Sequence, residues 1–389
     1  ESSLPSDIKI NSGKIDYSGL KLLGGNAEFG IKSSLVRTSN VADFKDVVDG
    51  IKTPNYQFSN DFSYRENINS LYMNYNRDFK KITVQAGLRM ENTNINGYQA
   101  GNVQVSDSSF QFKYSSLFPT FYLQYTDDTL QKHVFSLSLG RRIDRPNYKD
   151  LNPFTYPMDK FTFYGGNPFL QPTFSYNAEL THTYKSFLST SLFYSHIDNL
   201  ISETNEQRGN IYYSRPGNFA QKTSYGLSLN GTFTLQKWWT LILDAALSRD
   251  AFKTQIYTEY LNSYRWNWVV SSTNQFKISK KWNAELGGSY NSKSLSGQFL
   301  ISPIGSVRAA ISTKILKNKG ALKLNVQDIF YTYQVEGQIR NIANAQASWF
   351  SYFDSRVVGL AFSYRFSKGD NLKLRQTGAS DTEQRRVKS

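Results

Sequence analysis

Residues 225–235 read YGLSLNGTFTL, and two kinds of side chain alternate through the whole stretch. One set of alternate positions is apolar apart from a single glycine, whereas the set between them is small or polar. A period of two predicts a β-strand with two unlike faces. Similar alternation covers 82–91, 121–125, 134–142, 239–248, 284–291, 307–315 and 357–366.

The composition favours a membrane barrel over a soluble β-protein. Among 389 residues, Tyr, Phe and Trp number 26, 27 and 6, yet only 39% of residues are hydrophobic and the mean hydropathy is -0.51. Soluble cores are built mainly from aliphatic side chains. In a transmembrane barrel only every second strand residue meets lipid, so an aromatic-rich and polar-rich chain fits. No apolar run approaches the roughly 18 residues of a membrane helix.

The connections between strands alternate in length, which gives the barrel a direction. Short connections are predicted near 80–81, 127–132, 185–187, 236–238, 280–281 and 317–319, and several carry Lys beside a ring, as at Trp238 and Trp282. Long ones are predicted near 39–56, 97–111, 145–171, 202–220, 252–263 and 331–352. Outer-membrane barrels have short periplasmic turns and long external loops. Several strands are predicted to be 12–16 residues long and to project beyond the bilayer, which needs about 9–11 residues per crossing.

Tracing back from a last strand near 353–367 gives about fifteen strands, which start near residue 7. Bacterial barrels have even strand numbers, so the odd count predicts that earlier strands lie outside this chain. Glu1 opens no signal peptide, which fits a mature protein or a fragment. We therefore predict an all-β transmembrane antiparallel barrel in 1–367, followed by a polar, solvated and mobile periplasmic tail in 368–389.

Charge and chemistry exclude several other functions. The net charge of +14 forms no basic stripe, so nucleic-acid binding is not expected. The chain has no cysteine, and its three histidines lie near strand ends without a second ligand at metal spacing. No glycine-rich phosphate motif opens a helix. We expect no enzyme activity, metal or cofactor.

Nine charged residues are predicted to face the lumen, because a charge on the lipid face costs about 2–4 kcal/mol at mid-bilayer. They form a wet, mutually paired wall, or some of them contact a plug or line a solute path. They are Arg89, Glu91, Glu179, Asp244, Glu285, Arg308, Lys314, Lys323 and Arg365.

Residues 137–154, LSLGRRIDRPNYKDLNPF, and 165–185, GGNPFLQPTFSYNAELTHTYK, are the most specific text in the chain. They resemble the outer-membrane β-barrel family of TonB-dependent receptor-like proteins of Bacteroidetes. The matching positions are Arg141, Arg142, Ile143, Arg145, Pro146, Tyr148, Leu151, Asn152, Pro153, Phe154, Gly166, Asn167, Pro168, Leu170, Pro172 and Glu179.

This resemblance implies a 22-stranded barrel, of which the chain would hold the C-terminal fifteen or so strands. It also implies a location in the cell outer membrane, in contact with lipid and lipopolysaccharide. A plug domain and the segment that meets TonB–ExbB–ExbD are characteristic of such receptors, and neither is in this chain.

The longest connection, residues 145–171, is named the family-motif loop here. Its prolines fix φ and its rings can pack together, so it is either a rigid lid over the barrel mouth or a ligand-contacting loop. The arginines beside it either attract an anionic solute or pair with Asp144 or Asp150. Candidates for ligand or plug contact are Arg141, Arg142, Arg145, Tyr148, Asn152, Phe154 and Asn167.

Two functions remain open for the parent protein, besides a weaker third interpretation as a soluble aromatic-rich β-protein. The first is energy-coupled uptake of an unidentified solute. The second is a non-transporting scaffold that holds a surface lipoprotein or a secretion or motility partner. A co-purifying lipoprotein without energy-dependent uptake would favour the scaffold.

Overall fold

A computed structural model describes residues 1–104, 106–127, 132–256, 259–339, 347–366 and 378–387. Within these ranges, fifteen strands form one continuous antiparallel meander, each paired with the next along the chain. The strands are β1 Ser6–Leu22, β2 Gly25–Val48, β3 Asn60–Asp78, β4 Ile82–Ala100, β5 Ser108–Thr126, β6 His133–Asp144, β7 Thr173–Tyr184, β8 Leu188–Arg208, β9 Ile211–Gln236, β10 Trp239–Ile256, β11 Glu259–Lys277, β12 Trp282–Asn291, β13 Ile304–Ile315, β14 Gly320–Val326 and β15 Val358–Tyr364.

Shorter elements lie at the ends of this wall. Among them, four short strands form a separate small sheet: Ser294–Ser296, Phe299–Ile301, Gln334–Ile339 and Ser348–Tyr352. The others are the strands Ser2–Ser3, Ile51–Pro54, Thr155–Pro157 and Thr162–Gly165, a 3₁₀ turn at Leu316–Asn318, and the one-turn helix α1, Asp381–Arg385. None of the helices in the described ranges is long and apolar enough to cross a membrane.

The strand register confirms the predicted alternation across the sheet. Residues paired directly across neighbouring strands form rows through the sheet. Where one row is apolar, the row one residue further along each strand is small or polar, because successive side chains point to opposite faces. The apolar row is Leu123, Leu137, Leu180, Leu192, Leu227, Leu247 and Trp268, one residue from each of β5 to β11. The row beside it is Gln124, Ser136, Thr181, Ser191, Ser228 and Ala246.

Two belts of aromatic rings border the apolar face. At the short-turn edge, Trp239 packs against Phe276 at 6.0 Å. Toward the long-loop edge, Trp266 on the same strand as Phe276 packs edge-on against Tyr225 at 6.0 Å. Ten residues separate the two β11 rings, which is about 33 Å along a strand and about 25 Å along the membrane normal at the usual tilt. The spacing fits the two interfacial girdles of an outer-membrane barrel.

Three of the predicted long connections consist mostly of paired strands instead of loops. In 39–56, β2 continues to Val48 and the strand Ile51–Pro54 pairs back onto it. Residues 202–220 continue the β8–β9 ladder as far as the pair Arg208 and Ile211. The β10–β11 ladder likewise runs to Ile256 and Glu259. The last two stretches were predicted as loops because their polar side chains hide the period of two. Pairing satisfies their backbone groups and extends the wall above the girdles. The short connections lie where they were predicted.

The polar tail departs from the sequence-based expectation in its described part. Residues 367–377 and 388–389 lie outside the described residues. Residues 378–387 are not a solvated extension, because Glu383 and Arg386 are only 3% and 8% exposed. Both pack against the inner face of the wall, where partners of opposite charge receive them. Composition alone could not reveal those partners, since they are more than 300 residues away in the chain.

Candidate functional site: the inner wall beneath the family-motif loop

The family-motif loop folds onto the inner face of β2, β3 and β4. Phe62, Tyr64 and Ile95 on these strands pack with Tyr148 and Leu151 of the loop in one buried cluster, which also includes Val36, Ala42, Phe154 and Leu170. The inner and outer sides of the wall are distinguished by the alternate positions along each strand, which face opposite sides of the sheet. On the opposite face, a row of apolar side chains from β1 to β5 is exposed: Ile15, Ile31, Leu71, Met90 and Leu117.

Arg145 fixes the start of the loop to the wall. Its Nη2 atom lies 2.6 Å from Glu91 Oε2 on β4 and 3.2 Å from Thr93 Oγ1. Arg89 Nε lies 2.8 Å from the other oxygen of the same carboxylate. Glu91 therefore binds two guanidinium groups, and its side chain is 11% exposed. This arrangement holds Arg145 away from the open lumen.

Tyr148 and Glu66 form a second buried polar contact, which the sequence analysis missed. Glu66 on β3 is 1% exposed, and it accepts hydrogen bonds from the hydroxyl groups of Tyr64 at 3.3 Å and Tyr148 at 3.5 Å. Burial raises the pKa of the Tyr148 hydroxyl above its ordinary value, which further favours the protonated, donating form. The sequence could have indicated this contact through one feature. Glu66 is the single carboxylate among the alternate, inward-facing residues Phe62, Tyr64, Glu66 and Ile68 of β3.

The remaining loop candidates bind the loop to itself and to β9. Asn167 Nδ2 donates to the Pro216 carbonyl at 3.2 Å, and Asn167 Oδ1 accepts from the Phe169 amide. Asn152 Oδ1 accepts from the amide of Phe154, whose ring is buried. A Cβ atom on Gly166 would lie 2.0 Å from the Asn152 carbonyl oxygen, so the two motif blocks meet at van der Waals distance only because residue 166 is glycine.

The side chains of Arg141 and Arg142 lie in different surroundings. Arg141 donates to the Leu117 carbonyl at 2.8 Å and lies over the rings of Phe118, Phe174 and Tyr176. Within the described ranges it has no carboxylate partner, and neither has Arg142, so the predicted pairing with Asp144 or Asp150 is absent there.

Arg142 instead lines a luminal cavity of about 710 Å³. Asn74, Gln85, Thr120 and Ser138 contribute to the same polar lining. The lining combines polar groups and rings with one guanidinium, that of Arg142, and one carboxylate, that of Glu28. Such a cavity could bind a hydrogen-bonding group, with Arg142 as the contact for an anionic one. Of the loop-flanking candidates, only Arg142 faces this space.

Three of the other predicted luminal charges are paired with each other, and two more accept hydrogen bonds from hydroxyl groups. Glu285 on β12 lies 3.8 Å from Arg308 and 3.9 Å from Lys323. Asp244 accepts from Ser271 Oγ, and Glu179 accepts from Thr181 Oγ1. These contacts favour the paired, wet wall over a row of free binding groups.

His133 and His182 lie side by side, although each histidine was expected to have no second ligand at metal spacing. His133 Nδ1 and His182 Nε2 are 3.0 Å apart on the neighbouring strands β6 and β7, and the rings stack. Among the described residues, no three side chains of His, Asp or Glu are grouped so that they could hold a metal ion. The pair lies at the short-turn edge, far from the family-motif loop.

Solved structures with a similar fold are outer-membrane receptors. The siderophore receptor PiuA from Acinetobacter baumannii superposes with a TM-score of 0.63 at 10% identity, over 93% of this chain and 56% of that one. The ferric yersiniabactin uptake receptor FyuA from Yersinia pestis gives 0.66 at 10% identity, over 94% and 55%. The copper transporter OprC gives 0.64 at 12%, over 94% and 58%. The chain thus spans little more than half the length of these structures.

A search among curated proteins found no match. The family comparison is more direct, because residues 1–364 match the outer membrane protein beta-barrel family. That match covers all fifteen wall strands and the family-motif loop. It agrees with the alternating faces, the two aromatic belts and the receptor-type fold, and it places the protein in the cell outer membrane. The chain belongs to the outer membrane protein beta-barrel family.

Proposed function

We propose that the chain forms the wall of an outer-membrane receptor that takes up a solute by energy-coupled, TonB-dependent transport. The observation that supports this proposal most is the family-motif loop, which folds into the lumen of a receptor-type barrel. A barrel of this class leaks unless its lumen is filled, so we include a plug domain in the proposal. The proposal also divides the chain into a barrel in 1–367 and a tail in 368–389.

Within this proposal, Arg142 is the contact for a solute or for the plug. It faces the polar luminal cavity, whereas Arg145, Tyr148, Asn152, Phe154 and Asn167 hold the loop in place. A guanidinium offers paired donors to a carboxylate, a phosphate or a plug carboxylate. The solved receptors of similar fold carry siderophores or copper, and a scarce solute of that kind is the class we propose.

The test is uptake by cells that produce the whole protein. Labelled ferric siderophores and copper are offered with and without a protonophore, and a deletion strain is the reference. We expect label to accumulate in the producing cells only and to drop to the deletion level with protonophore. In an Arg142→Gln variant we expect a higher half-saturating concentration at an unchanged maximal rate.

The scaffold function predicts a different outcome. A surface lipoprotein would then co-purify with the barrel at a fixed ratio, and no solute would accumulate in an energy-dependent way. Uptake that continues unchanged with protonophore would contradict energy coupling, although the barrel itself would still stand.

A further inference from the structure

The C-terminal segment, Gly378–Val387, lies inside the barrel and contains helix α1. The last wall strand ends at Tyr364, opposite Gly320 at the short-turn edge. The segment nevertheless contacts Glu66, which lies six residues from the long-loop end of β3 and twelve from its other end. The segment therefore reaches the half of the lumen into which the family-motif loop folds.

Arg386 is the main anchor of this segment. Its Nη1 atom donates to Glu66 Oε2, and its Nε atom donates to the Pro146 carbonyl at 2.9 Å. The guanidinium carbon lies 4.2 Å from the centre of the Tyr148 ring, and the Tyr148 amide donates to the Arg386 carbonyl at 3.4 Å. A carboxylate, a carbonyl and a ring face thus surround one planar cation, and each is a favourable partner for a guanidinium.

Lys32 on β2 forms a second anchor one helical turn away. Its Nζ atom lies 3.0 Å from Glu383 Oε1 and 2.9 Å from Thr382 Oγ1. The polarity of this contact is the reverse of the first: here the wall supplies the cation and the segment the anion. The two contacts together fix both the position and the direction of the segment.

The segment cannot hold this conformation without the wall. Helix α1 has five residues, which is far below the length at which an isolated helix is stable in water. Its side-chain contacts with the wall, in turn, are mostly charged and hydrogen-bonded. The segment therefore orders as it docks, and docking depends on the two anchors.

We propose that Glu66, Tyr148 and the Pro146 carbonyl form a guanidinium-binding pocket on the luminal wall, whose resident ligand is Arg386 of the protein's own C-terminal segment. The segment acts as a strap. It connects β2 and β3 to Pro146 and Tyr148, which lie one and three residues after the buried Arg145, and so holds the family-motif loop against the wall. This inference rests on the barrel and not on solute uptake.

Amide hydrogen exchange of the whole protein in outer-membrane vesicles tests the strap. In Arg386→Ala we expect exchange to rise at least tenfold in residues 378–387 and also in 145–150. Glu66→Gln should give the same pattern, and the double variant should add little to either single change. The matched control is Arg385→Ala, which removes the neighbouring, exposed arginine and should leave both segments unchanged.

Heat-modifiable migration on a gel is the control that shows whether each variant still folds as a barrel. Arg386→Lys keeps the charge but loses the planar donor pair, so we expect an intermediate effect. The proposal is overturned if 378–387 exchanges in the unmodified protein as fast as an unstructured peptide. It is overturned equally if Arg386→Ala leaves 145–150 unchanged, or if Arg385→Ala has the same effect as Arg386→Ala.

Discussion

Arg145 Nη2 and Glu91 Oε2 lie 2.6 Å apart, and this contact joins the start of the family-motif loop to the barrel wall. Each of the two side chains is only 11% exposed, so the pair is largely shielded from water. A buried ion pair adds little net stability over apolar packing, but removal of one partner leaves an uncompensated charge. The pair therefore fixes where the loop enters the lumen.

Replacement of Glu91 by Gln is expected to lower the free energy of unfolding by about 3 kcal/mol, because Arg89 and Arg145 both lose their counter-ion. Denaturant unfolding in lipid vesicles measures this change. Glu285→Gln is the matched control: its side chain is 30% exposed and its cations lie 3.8 and 3.9 Å away, so a loss below about 1 kcal/mol is expected. Equal losses would argue against a buried anchor.

Gly166→Ala is expected to loosen the family-motif loop, since the new Cβ atom would meet the Asn152 carbonyl at 2.0 Å. Overpacking of this kind costs about 1–3 kcal/mol, and limited proteolysis should then cut within 145–171. Gly140→Ala serves as the control, because the nearest atoms to its Cβ would be 3.7 Å away. Protease resistance equal to that of the unmodified protein would show that the two motif blocks do not depend on this contact.

The two faces of β9 should respond differently to charge. Leu229→Arg places a cation on the apolar face, four residues along β9 from the ring of Tyr225, and should cost about 2–4 kcal/mol near mid-bilayer. Asn230→Arg places the same cation on the inner face, opposite Asp244, and should be nearly neutral. Unfolding in vesicles and the yield of heat-modifiable barrel measure both variants, and equal penalties would contradict the assignment of faces.

Acid should release the C-terminal segment. Burial of Glu383 acts to raise its pKa, but the hydrogen bond and charge of Lys32 outweigh it, so the pKa lies below its usual 4.5. A carboxyl whose pKa is depressed on docking stabilises the docked state above its free pKa, and loses this effect as pH falls through the docked pKa. The contribution is therefore complete at neutral pH, begins to fall near pH 4.5 and is lost at lower pH, below the docked pKa.

A spin label on Gln384→Cys reports this change as increased mobility between pH 7 and pH 3. The Glu383→Gln variant isolates the contribution of Glu383, because it should be more mobile at neutral pH and should change less on acidification. An acid response of the same size in both proteins would mean that another group releases the segment.

The wall could be predicted from the sequence because its signal is local. Tyr225, Leu227 and Leu229 alternate with small residues within one strand, and each such strand adds one to a count that agrees with the fifteen observed. The polar strand extensions at 202–220 could not be predicted, since neither of their faces meets lipid and the alternation is lost there.

The contacts of the candidate site could not be predicted, because they join residues far apart in the chain. Arg145 was selected by its motif, but its partner Glu91 is 54 residues away. Glu66 carries no motif, and its partner Arg386 is 320 residues away. Local patterns therefore gave the positions of the loop and its arginines, whereas partner identity required the packed structure.

The barrel assignment depends most on which face of the wall meets lipid and which meets water. The chain has no cysteine, so single cysteines introduced at successive positions from 225 to 235 can each carry one nitroxide label in membranes. The account predicts that collisions with oxygen are high at Tyr225, Leu227 and Leu229, and that collisions with a water-soluble nickel chelate are high at the positions between them. Two collision profiles without a period of two, or with the phases reversed, would contradict the barrel assignment.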